Sequence, residues 1–168
     1  MRKFIFYSVL SLISLTFFTL FLEYFSFINV KPDIILLLVV YLAISSDETV
    51  DIFIAFTLGF FFDIFSGSVV GLFAMLRTVT FVVTRFLNMN FFSKNTLFFV
   101  VITFVISMID SFYLGHQYKN NGYGSLVIIK DALYISSINA LMALALYKVF
   151  TKIEEFYLKT IKEQEGMI

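Results

Sequence analysis

The sequence predicts an all-α integral membrane protein, folded as a compact bundle of about six transmembrane helices. Hydrophobic residues make up 60% of the chain and charged residues 14%, and the mean hydropathy is +0.95. Soluble domains carry roughly 45–50% apolar and about 25% charged residues. The apolar residues also occur in long runs separated by short polar turns, so residues 1–168 are expected to form a single polytopic membrane domain.

The first helix is predicted over residues 4–27 and the second over 33–46. Arg2 and Lys3 precede the first apolar run, which exceeds the roughly 7–15 apolar residues of a signal peptide and lacks a small-residue cleavage site, so we expect it to stay uncleaved. Pro32 suits the first turn of the second helix, and Asp33 favours a helix N-terminus. That span is short of the roughly 30 Å hydrocarbon core, which predicts a tilted, partly buried helix or an extension to Ser46.

The third and fourth helices, predicted over 50–65 and 69–87, are expected to form a tight hairpin. Gly59 lies in the third helix, Gly67 in the turn and Gly71 in the fourth helix. Glycines let backbones turn or approach closely. Asp63 lies near the predicted bend. The fifth and sixth helices are predicted over 96–114 and 126–150, followed by an amphipathic tail over 151–165.

The distribution of basic residues predicts the orientation. With six spans both termini lie on one side, and eight of the twelve Lys and Arg residues fall on that side, against three on the other and one inside a span. Basic residues concentrate in cytoplasmic loops, so both termini are expected in the cytoplasm.

Several charged residues lie inside or close to the predicted spans, where an unpaired charge is costly. Arg77 is the one cation well inside a span, and it could pair with Asp63 or Asp110 across the bundle. For Asp131 and Glu23, which lie nearest to polar loops, extension of the side chain to the membrane surface is the competing interpretation.

The residues show no pattern for catalysis. There is no cysteine and one histidine, His116, so thiolate chemistry and common zinc sites are excluded. Asp63 and Asp110 lack the sequence context of intramembrane aspartyl proteases, and neither a nucleophilic-serine motif nor a phosphate-binding loop is present. The formal net charge is zero, which gives no argument for nucleic acid. We expect no enzyme activity, metal or cofactor.

One stretch resembles a known family. A Pro-Asp pair enters an apolar helix, and after a polar break a Gly-Phe pair, an acid and two spaced glycines follow, as Pro32, Asp33, Gly59, Phe60, Asp63, Gly67 and Gly71. This pattern is similar to that of the rod shape-determining MreD family. Motif similarity is confined to about residues 32–74, although length and helix count agree throughout. A glycine that the family often places between the Gly-Phe pair and the acid is phenylalanine here.

The resemblance implies a non-enzymatic component of the bacterial cell-elongation machinery in the cytoplasmic membrane. It implies direct binding of MreC and a shared complex with MreB, RodA and a penicillin-binding transpeptidase. It also implies a fold like the S-component of energy-coupling-factor transporters. The seven motif residues are then expected to serve partner binding or helix packing, and Arg77, Asp110 and Asp131 are the expected polar residues within the membrane.

Two alternatives stay open. A solute-binding subunit of a vitamin transporter has the same size, and its site could use outer polar residues: Glu23, Asp63, Asp110, Tyr113, His116 and Asp131. The alanine-rich coupling motif of such subunits is not visible. An ion-coupled carrier would titrate Asp63 and Asp110, but the chain shows no obvious internal repeat.

Overall fold

The computed structural model describes residues 32–45, 51–66, 69–91, 95–119 and 125–165, and all of its regular structure is helical. The five helices are α1 (Ile34–Ser45), α2 (Asp51–Ser66), α3 (Leu72–Phe91), α4 (Thr96–Lys119) and α5 (Ser125–Glu165). Helix α1 corresponds to the second predicted span. The predicted first span, with Glu23, lies outside the described residues, as does Gly67.

The described helices form two hairpins with α1 between them. Helix α2 packs on α3, helix α4 packs on α5, and α1 contacts all four. In the described ranges, the hairpins meet each other directly only through a small contact between α3 and α4. The position of each hairpin relative to the other therefore depends on α1 and on the side chains that cross at the α3–α4 seam.

Helix α1 is the core of the bundle. Every residue from Ile35 to Ile44 is at most 3% exposed. This segment is apolar on all faces, as expected for a helix surrounded by protein. Its 12 residues span about 18 Å, less than the roughly 30 Å hydrocarbon core. The described helix is shorter than a full span, and Ile35 to Ile44 are buried because two hairpins enclose them. The predicted extension to Ser46 lies outside the described residues.

Three of the described helices are long and apolar enough to cross a membrane, namely α3 over Leu72–Met89, α4 over Thr96–Gly115 and α5 over Ser125–Phe156. Large apolar side chains cover their outer surfaces, for example Val79, Val105 and Leu141. Such surfaces suit contact with lipid, because only a bilayer makes their exposure inexpensive.

Several helix bounds differ from expectation, since α3 ends at Phe91 rather than at residue 87 and α4 ends at Lys119 rather than at residue 114. Helix α3 begins at Leu72 rather than at residue 69, because Gly71 has a φ of +96°. A right-handed α-helix requires a negative φ at every residue, so Gly71 cannot be part of it. Helix α5 runs unbroken through the predicted tail to Glu165, since no Pro or Gly interrupts it. Its extension is tied to the core by a 2.5 Å hydrogen bond that the Tyr41 hydroxyl donates to Glu154 Oε2.

Candidate functional site

Asp33 links the start of α1 to two other helices. Its Oδ1 accepts a hydrogen bond of 2.8 Å from the Leu36 backbone N–H, which is the geometry of a helix N-cap. Its Oδ2 lies 2.5 Å from the Arg77 guanidinium on α3. Its own backbone N–H donates to Asn139 Oδ1 on α5 at 2.9 Å. One residue therefore caps the start of α1 and connects to both hairpins.

Arg77 is the centre of the charged group. It is 1% exposed, and its second guanidinium nitrogen lies 2.6 Å from Asp110 Oδ2 on α4. The guanidinium carbon is also 5.6 Å from the centre of the Phe73 ring, within cation–π range. Because the fork of Arg presents donors in two directions, one side chain bridges α1, α3 and α4.

Neutral side chains extend this group to α5. Asn139 uses its Oδ1 for the Asp33 backbone and donates from Nδ2 to Ser107 Oγ on α4 at 2.7 Å. Ser107 and Asn139 are both buried. We call the set Asp33, Arg77, Ser107, Asp110 and Asn139 the polar network. It joins α1, α3, α4 and α5, and so it crosses between the two hairpins where other contact is sparse.

The network matters energetically because its charges are removed from water. Two carboxylates contact one guanidinium, so the formal sum is a single negative charge. The N-terminal end of α1 carries a partial positive charge next to Asp33, which offsets part of that excess. Removing one member of such a group is costly, since it leaves a buried charge without compensation.

Asp63 serves a different purpose from the predicted ion pair. Its Oδ2 accepts hydrogen bonds from the backbone N–H groups of Gly71 at 2.9 Å and Ala74 at 3.1 Å. Its Oδ1 accepts one from Phe73 N–H at 2.9 Å. The carboxylate is 1% exposed and caps α3 from the preceding helix. The first N–H groups of a helix have no partner within it, and in lipid they must find one.

The two described glycines of the hairpin, Gly59 and Gly71, are explained by different structural requirements. A Cβ on Gly59 would lie 2.4 Å from the Phe73 carbonyl oxygen and 2.6 Å from the Ala74 Cα, so α2 and α3 touch backbone to backbone there. Gly71 has open space around it, but its φ of +96° favours glycine. Phe60 is 37% exposed and stacks on Phe56 with ring centres 6.3 Å apart.

The structure thus brings together some predicted residues and separates others. The Arg77–Asp110 pair is present, whereas Asp63 is a cap and Asp131 lies exposed on α5 beside Lys130. Pro32 is half-buried immediately before Asp33. Sequence reasoning missed Ser107 and Asn139, which are neutral, and missed the bond from Asp33 to Arg77. The described residues contain no group of three His, Cys, Asp or Glu side chains suited to a metal ion.

Replacing Asp63 with alanine is expected to lower the free energy of unfolding by at least about 1–3 kcal/mol, the cost of one buried polar group left unpaired. Three backbone N–H groups would lose their acceptor at once. The measurement is thermal unfolding of the detergent-solubilised protein. A fluorescent fusion is heated, and the fraction that stays folded is measured by size-exclusion chromatography. Asp131→Ala, at an exposed acid on α5, is the control and should melt like the parent; equal melting of the two variants would contradict the capping role.

Comparison with known proteins adds one match. No curated protein and no solved structure has significant similarity to the chain. The family model described as rod shape-determining protein MreD matches residues 1–156, which includes every residue of the polar network. On that match, which covers far more than half of its 168 residues, the chain belongs to the MreD family of rod shape-determining proteins.

Proposed function

We propose that this protein is a non-enzymatic scaffold of the cell-elongation complex in the bacterial cytoplasmic membrane. It binds MreC directly and, with MreB, RodA and a penicillin-binding transpeptidase, helps to control cell shape and lateral peptidoglycan synthesis. It crosses the membrane several times with both termini in the cytoplasm. The observation that carries this proposal is the family match over residues 1–156, because the family is named for determining rod shape.

The use of the buried polar groups supports a scaffold. Arg77 binds both Asp33 and Asp110, and Asp63 binds backbone N–H groups of α3. These groups hold helices in place, as structural charges within a membrane do. A rigid arrangement of hairpins is what a scaffold needs, since a preorganised surface loses less entropy when a partner binds.

We place the MreC contact on the outer face of the α2–α3 hairpin. Gly59 already packs against the α3 backbone and Asp63 already caps α3, so neither offers a group to a partner. The exposed described residues of the hairpin are apolar on both helices. On α2 they include Phe56 and Phe60, which lie one turn apart and stack on each other. A single transmembrane helix can pack against such a surface by van der Waals contact.

The test is copurification of MreC with the Phe56→Ala/Phe60→Ala double variant. We expect at least a fivefold loss of MreC at unchanged melting temperature, about 1 kcal/mol of lost association energy, together with rounded cells. Leu141→Ala/Leu144→Ala is the matched control, because it removes two exposed apolar side chains from α5. Normal MreC recovery from the Phe variant would reject this face, and absence of MreC from the parent would reject the scaffold.

A solute-binding subunit is the second candidate, and the contacts do not favour it. Asp63 and Asp110 each bind donors of the protein itself, and Asp131 lies on the exposed surface of α5. These acids therefore do not converge on one concave site as a ligand pocket requires. A vitamin that raised the melting temperature in a concentration-dependent manner would restore this candidate.

A further inference from the structure

Two buried oxygen atoms on α3 have no hydrogen-bond partner within the part of the chain that the structure describes. They are Thr84 Oγ1 and Asn88 Oδ1, and both belong to the face of α3 that also carries Arg77. Thr84 is 0% exposed. The residues are four apart, so their side chains lie one above the other on the helix. An unpaired polar atom within an apolar bundle is costly, which makes two adjacent ones an unusual feature.

The Thr84 hydroxyl departs from the behaviour of comparable residues in this chain. Helical Ser and Thr commonly donate to the carbonyl four residues earlier. Thr57, Thr78 and Thr103 all do so at 2.7 Å. Thr84, although fully buried, does not bond to any group of residues 32–45, 51–66, 69–91, 95–119 or 125–165. Its oxygen is therefore available to a group outside α3.

The orientation of the Asn88 amide is determined by α1. Its Nδ2 donates to the Ile44 carbonyl oxygen at 3.2 Å, so the remaining Oδ1 can only accept. Ile44 is the penultimate residue of α1, and the last carbonyls of a helix lack intrahelical partners and carry a partial negative charge. Asp51, the first residue of α2, is also buried at this end of the bundle. The surroundings of Asn88 are thus rich in acceptors.

We propose that Thr84 Oγ1, Asn88 Oδ1 and carbonyl oxygens at the C-terminal end of α1 bind a monovalent cation, Na⁺ or K⁺. Neutral oxygens together with the negative end of a short helix are the ligands that membrane proteins use for Na⁺. The neutral side chains favour a singly charged ion, because Ca²⁺ sites generally use carboxylates. The ion would brace α1 against α3 at the end opposite to the polar network, independently of any MreC contact.

The experiment compares thermal unfolding of the purified full-length protein in NaCl, KCl and N-methyl-D-glucamine chloride at equal ionic strength. An ion that binds only the folded state raises the melting temperature with concentration. We expect a rise of about 5 °C in NaCl or KCl relative to N-methyl-D-glucamine, and the preferred ion identifies the occupant. Thr84→Val and Asn88→Leu should each abolish the rise.

Thr103→Val is the matched control, since Thr103 is also 0% exposed but donates to the Phe99 carbonyl. It should lower stability and retain the response to the cation. Equilibrium binding of ²²Na⁺ and ⁸⁶Rb⁺ to the parent protein supplies a second measurement that needs no variant. Equal melting in all three salts without ion binding would overturn the proposal and assign the two oxygens to water, as would an unchanged response in Thr84→Val.

Discussion

Arg77→Met is expected to lower the free energy of unfolding by about 3–5 kcal/mol, the usual cost of removing one partner from a buried charge pair. Methionine has a similar length and suits an apolar site, so packing changes little. Asp110 would instead remain buried and Asp33 partly buried, with no guanidinium between them. Because Arg77 also crosses the sparse α3–α4 seam, we expect the two hairpins to separate before either one unfolds.

The measurement is reversible unfolding in mixed detergent micelles, with hairpin separation followed by distance measurements between single cysteines. The chain has no native cysteine, so a pair introduced at exposed Val79 on α3 and Val105 on α4 reports the seam without background. Lys130→Met, at an exposed cation on α5, is the control and should not change stability.

Neutralising the acids distinguishes charge from packing. Adding Asp33→Asn and Asp110→Asn to Arg77→Met should restore much of the lost stability, because no uncompensated charge then stays buried. Arg77→Lys should fall between the parent and Arg77→Met, since an ammonium lacks the fork that reaches both acids. If the triple variant were no more stable than Arg77→Met, loss of packing rather than charge would explain the effect.

The sequence allowed prediction of the charged residues that would be costly to bury in lipid without a partner. Arg77 and Asp110 lie in apolar runs, and an isolated charge there demands a partner, so their pairing could be inferred as one of two choices. Asp33 could not be assigned to the network because it follows a polar turn. At that position an acid is already explained by the helix N-terminus. Its bond to Arg77 depends on the angle at which α1 enters the bundle, which residue spacing does not show.

Neutral and backbone partners were the least predictable. Ser107 and Asn139 resemble ordinary polar residues of membrane helices, and only their juxtaposition across α4 and α5 makes them part of the network. Asp63 was one of two candidate partners for Arg77, but it binds three backbone N–H groups instead. Every residue except proline carries a backbone N–H donor. The sequence alone therefore does not show which of these donors lack a partner. They can be identified only once the first residue of α3 is known.

Gly59→Ala is expected to destabilise the α2–α3 hairpin by about 1–3 kcal/mol, the range for overpacking a close contact. The added Cβ would meet the Phe73 carbonyl oxygen and the Ala74 Cα, which are backbone atoms and cannot rotate away. Relief requires α3 to move away from α2. That movement would also draw the first turn of α3 away from the Asp63 carboxylate that caps it, so one methyl group should disturb both features.

Gly115→Ala is a demanding control for this prediction, because its Cβ would approach equally closely, at 2.5 Å. The neighbour there is the Cγ2 methyl of Ile128, a side-chain atom that can shift with its side chain, whereas the atoms facing Gly59 belong to the backbone. We expect Gly115→Ala to cost less than Gly59→Ala, and Gly59→Leu to prevent recovery of monodisperse protein. If both alanine variants melted alike, the backbone contact between α2 and α3 would not be the reason for glycine at position 59. The hairpin glycine would then be better explained by contact with MreC, which copurification with Gly59→Ala would detect as a loss without a change in melting.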